Sequence, residues 1–297
     1  METKKYSLLL GGHMPQLDGL EHAITRAEAL GFTVIQLYIR SAQDWVKHEM
    51  TAEQIATFRK TLKGSNIKYV IALDPFIKHL GQPDLERSNL MNELMADELT
   101  LCDLLGIPYV IVHPGTCRPQ RSTTACIMDI SDNLNKILSK ASGNTMILLQ
   151  NMASGGKSIC YSFEHLAWLY RESNYQQRLG ICFDLCSAFA SGYSLRTKDE
   201  YEQMWKEFDH VIGLNLLKAI HINDCKEKQG SGINEHAFIG RGFIPYEAYR
   251  WLMNDERFFD IPKIIEIPAQ TINDYKETLN ILVDFITPSN KLRYGIK

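Results

Sequence analysis

Asp184, His221 and Glu266 each end a short apolar run: Gly180-Ile181-Cys182-Phe183-Asp184, Leu217-Lys218-Ala219-Ile220-His221 and Pro262-Lys263-Ile264-Ile265-Glu266. One imidazole and two carboxylates make an N/O donor set suited to Zn²⁺, Mn²⁺ or Fe²⁺. Earlier runs end on Leu73-Asp74, His113 and Gln150-Asn151, where packing alone favours Val, Ile or Leu. Gln150 adds a neutral carbonyl oxygen. Taken singly, His113 before Pro114-Gly115 reads as a satisfied loop histidine, and Glu266 after two isoleucines as a rim ion pair. Their joint placement at strand ends points instead to a metal or polar catalytic site.

The elements that must position these groups alternate along the chain. Apolar runs at about 6–11, 32–39, 67–73, 108–113, 145–150, 179–184, 217–222 and 262–267 read as strands. Helical spacing is visible at 18–30, 86–105, 123–138 and 272–285, and a small-residue turn is expected directly after Asp184. Eight strands alternating with helices predict a single (β/α)8 barrel domain over 1–297, whose chemistry belongs on the C-terminal face. An open doubly wound sheet is the weaker alternative, because Gly11-Gly12-His13 is not a G-x-G-x-x-G motif. The loop over about 225–245 is long enough to expect a function of its own.

Composition narrows the classes. With 45% hydrophobic and 23% charged residues and a net charge of −3, no overall basic field advertises nucleic acid, although a local basic rim remains compatible with it. No segment approaches the ~20 apolar residues that span a bilayer. The seven cysteines include no CxxC pair and read as thiols of a reducing compartment rather than a disulfide framework. The expectation is a cytoplasmic, monomeric protein without membrane contact.

Several segments together resemble endonuclease IV, the apurinic/apyrimidinic endonuclease family of base-excision repair. They are Gly11-Gly12-His13, Val112-His113-Pro114-Gly115, Phe163-Glu164-His165-Leu166-Ala167, Asp184 to Thr197, His221-Ile222-Asn223-Asp224-Cys225-Lys226, Gly240-Arg241-Gly242-Phe243-Ile244 and Ile265-Glu266. The resemblance covers nearly the whole chain. It implies a (β/α)8 barrel whose family holds three zinc ions and cuts the phosphodiester 5′ to an abasic sugar in damaged double-stranded DNA. By that resemblance His113, Asp184, His221, His236 and Glu266 stand at metal-ligand positions, with Glu266 and Gln150 at the catalytic centre. The set is incomplete: Leu73 stands in place of a His, Gln150 of the bridging Glu, Ser187 of a His and Asn234 of an Asp. The site of Asp184, His221 and Glu266 keeps everything but the charge of its bridge. This implies one divalent cation per chain, zinc or manganese, and a weakened endonuclease, because one ion lacks the clamp of a multi-metal centre.

The resemblance also places DNA contacts at Gln43, Phe76, Arg196, Lys226 and Arg241, for which the alternative is a solvated charged rim. Two other functions compete. Sugar isomerases and epimerases of the xylose-isomerase-like superfamily use a Glu, Asp, His, Glu order that Gln150, Asp184, His221 and Glu266 nearly reproduce. A non-catalytic DNA-binding relic would explain the lost ligands.

Overall fold

Val, Ile and Leu fill the apolar runs, and such side chains suit extended backbone buried on both faces. The computed structural model describes residues 6–16, 18–40, 49–75, 80–81, 85–117 and 120–296. Among the described residues ten strands run in chain order: β1 (Leu10–His13), β2 (Val34–Leu37), β3 (Tyr69–Leu73), β4 (Tyr109–Val112), β5 (Met146–Gln150), β6 (Leu179–Asp184), β7 (Leu217–Ile222), β8 (Asp224–Cys225), β9 (His236–Ala237) and β10 (Lys263–Ile265). All but β8 and β9 pair in parallel around a ring that closes between β10 and β1. The (β/α)8 barrel is therefore the fold, and closure excludes the open doubly wound sheet.

The surrounding helices are α1 (Leu20–Leu30), α2 (Ala52–Gly64), α3 (Leu85–Leu105), α4 (Thr123–Lys140), α5 (Phe163–Glu172), α6 (Leu185–Ala190), α7 (Lys198–Val211), α8 (Tyr246–Asn254), α9 (Ile272–Asp284) and α10 (Pro288–Tyr294). Local chemistry starts several of them. Thr51 with Gln54, and Thr197 with Glu200, form reciprocal capping boxes at α2 and α7. The α7 face of Tyr201, Met204, Trp205 and Phe208 is buried. The Trp205 ring lies 4.6 Å from that of Phe183 on β6 and 4.4 Å from that of Phe258. This aromatic block braces the outer side of the strand that ends on Asp184.

Three local expectations are corrected. The first strand begins at Leu10, not residue 6, because pairing starts only where Leu10 meets Lys263 and Gly11 meets Val34. A Cβ on Gly11 would lie 1.6 Å from the Val34 carbonyl oxygen, so this approach requires glycine. The turn expected after Asp184 is instead α6, a fully buried six-residue helix capped by the Asp184 carboxylate, which accepts from the Ser187 amide at 2.7 Å. Cys117 and Cys126 are joined as a disulfide with Cα atoms 5.6 Å apart, against the all-thiol reading. The reason is that α4 carries Cys126, in its first turns, back beside the loop leaving β4. Cys102, Cys160, Cys182, Cys186 and Cys225 are free and buried. The long loop after β7 folds partly into an antiparallel ribbon of β8 with β9.

Two apolar layers result. Leu9, Val34, Ile71, Leu73, Ile111, Leu148, Cys182, Ala219 and Ile264 fill the barrel interior. A larger cluster packs between barrel and helices.

Candidate metal centre

Each candidate at a strand end lies two positions beyond an interior residue: Ile111 and His113, Leu148 and Gln150, Cys182 and Asp184, Ala219 and His221, Ile264 and Glu266. Side chains alternate across a strand, so residues two apart share a face. The candidates therefore form the next interior layer, toward the C-terminal ends. Gln36, two beyond Val34, belongs to it, and so does Leu73, two beyond Ile71. Leu73 is the apolar member and stays buried in the interior cluster, at a position with no donor to offer.

At the centre, His221 Nδ1 lies 3.4 Å from Glu266 Oε2 and 3.6 Å from Asp184 Oδ2. These separations exceed the usual 2.7–3.2 Å of an N–H···O hydrogen bond, and the buried Nδ1 has no hydrogen-bond partner. Donor atoms about 2.0–2.1 Å from a tetrahedral zinc are roughly 3.3–3.4 Å from one another. The two separations from His221 are those expected of neighbouring ligands on one divalent cation. His236, carried by β9, joins the same carboxylates: Asp184, His236 and Glu266 each offer a donor atom within 4.8 Å of the others.

The partners of each group fix its orientation. Asp184 Oδ2 accepts from Asn223 Nδ2 at 2.7 Å, and that amide lies 3.1 Å from His236 Nε2. Asn151 clasps the Asp184 backbone, accepting from its N–H at 2.6 Å and donating to its carbonyl at 3.0 Å. Glu266 Oε1 accepts from Gln36 Nε2 at 2.5 Å. Two further acceptor-capable atoms are buried without partners, His113 Nδ1 and Gln150 Oε1. Unsatisfied buried polar atoms of this kind call for an explanation, and an ion is one.

The electrostatics agree. Burial alone would raise Asp184, but the imidazoles of His221 and His236 outweigh it and hold the carboxyl well below its usual range. Glu266 is likewise lowered, burial being overcome by His221 and His236. Burial would lower His221, yet Cys182, Glu266 and Asp184 leave it well above the ordinary histidine value. The pocket is thus poised for positive charge. Burial takes His113 down to about 4, so it is a neutral donor at pH 7.

Two of the changed positions meet each other. Asn234 Nδ2 donates to Ser187 Oγ at 2.9 Å, a protein–protein contact between positions that the resemblance associates with ligands. Of the expected DNA-facing residues, Arg196, Lys226 and Arg241 are exposed. The Lys226 ammonium is paired with Glu235 at 2.6 Å, and the Arg241 guanidinium lies 5.5 Å from the Phe238 ring centre. Gln43 and Phe76 fall outside the described residues. Sequence reasoning missed Gln36 and Asn223 as site residues. The two-residue period of the strands was the signal that could have found Gln36.

Barrel and donor layer together define a (β/α)8 protein with a candidate metal site at its strand ends. Residues 24–285 match the family described as xylose isomerase-like TIM barrel. A probable endonuclease 4 of Chloroflexus aggregans is 36% identical over 261 residues, covering 87% of this chain and 90% of the relative. The crystal structure of endonuclease IV from Thermus thermophilus superposes with a TM-score of 0.82 at 26% identity, over 93% of this chain and 98% of that one. A D-tagatose 3-epimerase-like protein, 17% identical with a TM-score of 0.72 over 95% and 98% of the two chains, shares the fold alone. The chain belongs to the endonuclease IV family within the xylose isomerase-like TIM barrels.

Proposed function

We propose that this protein is a metal-dependent phosphodiesterase that cuts damaged double-stranded DNA 5′ to abasic sites, working with one divalent cation, zinc or manganese. The observation that carries the reading is the bare, buried Nδ1 of His221 facing the carboxylates of Asp184 and Glu266 at 3.6 and 3.4 Å. Those three residues would hold the ion, with His236 contributing from the ribbon and His113 from across the barrel mouth. Bound there, a cation supplies a lowered pKa for its water and a Lewis acid for a phosphoryl oxygen. Glu266, lowered and ionised, would hold the ion through the oxygen that Gln36 leaves free and so position the attacking water. Gln150, a neutral amide with an unpartnered buried oxygen, would hold that water in place but cannot balance a second cation's charge. Arg196, Lys226 and Arg241, all exposed, are the proposed contacts to DNA phosphates, and Gln43 and Phe76 are proposed contacts to the damaged duplex by resemblance.

The test uses a duplex with a tetrahydrofuran abasic analogue, with Zn²⁺ or Mn²⁺, and looks for a nick 5′ to the lesion. Cleavage that disappears with chelator and rises with the pair Leu73→His and Gln150→Glu is the expected result. No nick from either protein, with turnover of a ketose sugar instead, would give the site to sugar isomerase or epimerase chemistry.

A further inference from the structure

Gln36 enters the barrel interior one layer above Val34 and is fully buried. Its amide touches three groups at once. Oε1 lies 2.8 Å from His221 Nε2, and Nε2 lies 2.5 Å from Glu266 Oε1 and 3.3 Å from His13 Nδ1. A carboxylate accepts hydrogen bonds and cannot donate them, so the amide nitrogen must face Glu266. That leaves Oε1 toward His221, where an oxygen can only accept. His221 must therefore carry a proton on Nε2. A neutral imidazole protonated on Nε2 has its lone pair on Nδ1, the atom facing Asp184 and Glu266.

We propose that Gln36 is a positioning residue for the metal centre, setting the His221 tautomer and assigning the two Glu266 oxygens with a single amide. Glu266 Oε1 is taken up by Gln36, and Oε2 is left turned toward His221 and the ion. Reversing the amide would bring Oε1 against the carboxylate and an N–H against the Nε2 proton, so the network has one consistent orientation. His13 closes it from the far side, taking the second amide hydrogen on Nδ1. Its ring lies 4.5 Å from that of Tyr38. Metal-bound histidines are commonly oriented by a carboxylate or backbone carbonyl on the distal nitrogen. Here a side-chain amide serves that purpose and restrains a second ligand as well. Nothing about nuclease activity is needed for this role, although it rests on the reading that the site holds a cation.

The test reads metal binding rather than cleavage. Gln36→Met keeps approximate length and volume and removes all three hydrogen bonds. Zinc affinity, measured by competition with a chromogenic chelator, should fall ~10–100-fold, while the unfolding temperature of the metal-free protein changes little. Independently of any variant, long-range ¹H–¹⁵N correlation on the zinc-loaded protein with labelled imidazoles should show His221 ligated through Nδ1, with a protected proton on Nε2. In Gln36→Met that proton should exchange rapidly. An affinity within about threefold of the parent protein's, zinc bound through Nε2, or a parent protein that takes up no zinc would each overturn the proposal. A protein that binds zinc and nicks no abasic DNA sinks the endonuclease reading and leaves the role of Gln36 intact.

Discussion

The same strands carry two interior layers with opposite chemistry. Val34, Ile71, Ile111, Leu148, Cys182, Ala219 and Ile264 make the lower layer, where the strands need only fill space. Two residues further along come Gln36, Leu73, His113, Gln150, Asp184, His221 and Glu266, where all but Leu73 are polar. Backbone and register hardly differ between the layers, and burial only where His113 and Glu266 open partly toward the mouth. The difference lies in partners: apart from Cys182, which reaches His221, lower-layer side chains pack on one another, while upper-layer groups find polar partners, with acceptor-capable atoms left over at His113, Gln150 and His221. A fold can therefore carry a largely buried polar centre provided the layer beneath supplies stability by packing.

The sharpest way to break this comparison is one substitution in each layer. Asp184→Asn keeps shape but removes a charge that both His221 and His236 face. It should lower zinc affinity by ~100-fold or more, beyond the usual penalty for losing a mere orienting partner. Ile264→Ala, from a fully buried site, should cost about 2–5 kcal/mol of unfolding free energy and leave metal content at its original value. Elemental analysis and denaturant melts on the two proteins give the crossed result. If Ile264→Ala loses its metal while folded, or Asp184→Asn keeps it, the layers do not divide the labour as described.

A smaller effect should appear in the pH dependence of the metal-free protein. His113 titrates near 6.5 when unfolded and is pushed down to about 4 by burial in the native state. Between those values the unfolded chain binds the additional proton, so stability falls as pH drops from about 6.5 toward 4, by at most ~3 kcal/mol from this residue. His113→Leu should flatten that part of the profile, measured by urea unfolding with chelator present. An unchanged slope would mean that the buried imidazole is not held neutral.

How much of this was legible beforehand follows from the same periodicity. The strand runs revealed the barrel, and Asp184, His221 and Glu266 announced themselves as polar ends of apolar runs. Gln36 was hidden because Val34-Ile35-Gln36-Leu37 places it inside a run, where an amide looks like an interruption and not an end. His236 could be named only by resemblance, since the ribbon that delivers it rests on a pairing of two residues with two, Asp224↔Ala237 and Cys225↔His236. No propensity signal marks so short a ladder. The α6 helix was read as a turn because Cys186-Ser187-Ala188 are small, whereas the Asp184 cap and complete burial favour a helix. The Cys117–Cys126 bond depended on α4 folding back over its own approach loop, a tertiary fact that cysteine spacing does not encode.

The smallest predicted effect concerns the rim rather than either layer, and it tests whether DNA lies over this face. Arg241 and Lys226 are both exposed, but their surroundings differ. Lys226 is paired with Glu235, so a phosphate must compete with a carboxylate already in contact at 2.6 Å. Arg241 has an aromatic ring beneath its guanidinium at 5.5 Å, and its acidic neighbour Asp274 lies beyond ion-pair contact. Each phosphate contact contributes about 0.9 to the slope of log K against log salt on duplex DNA. Arg241→Ala should therefore shrink that slope by about 1, uniformly across sequences. Lys226→Ala should change it by much less, because removing the lysine also frees a repelling Glu235. Neither variant should alter zinc content. Equal slopes for both variants and the parent protein would show that duplex DNA does not cross this part of the rim.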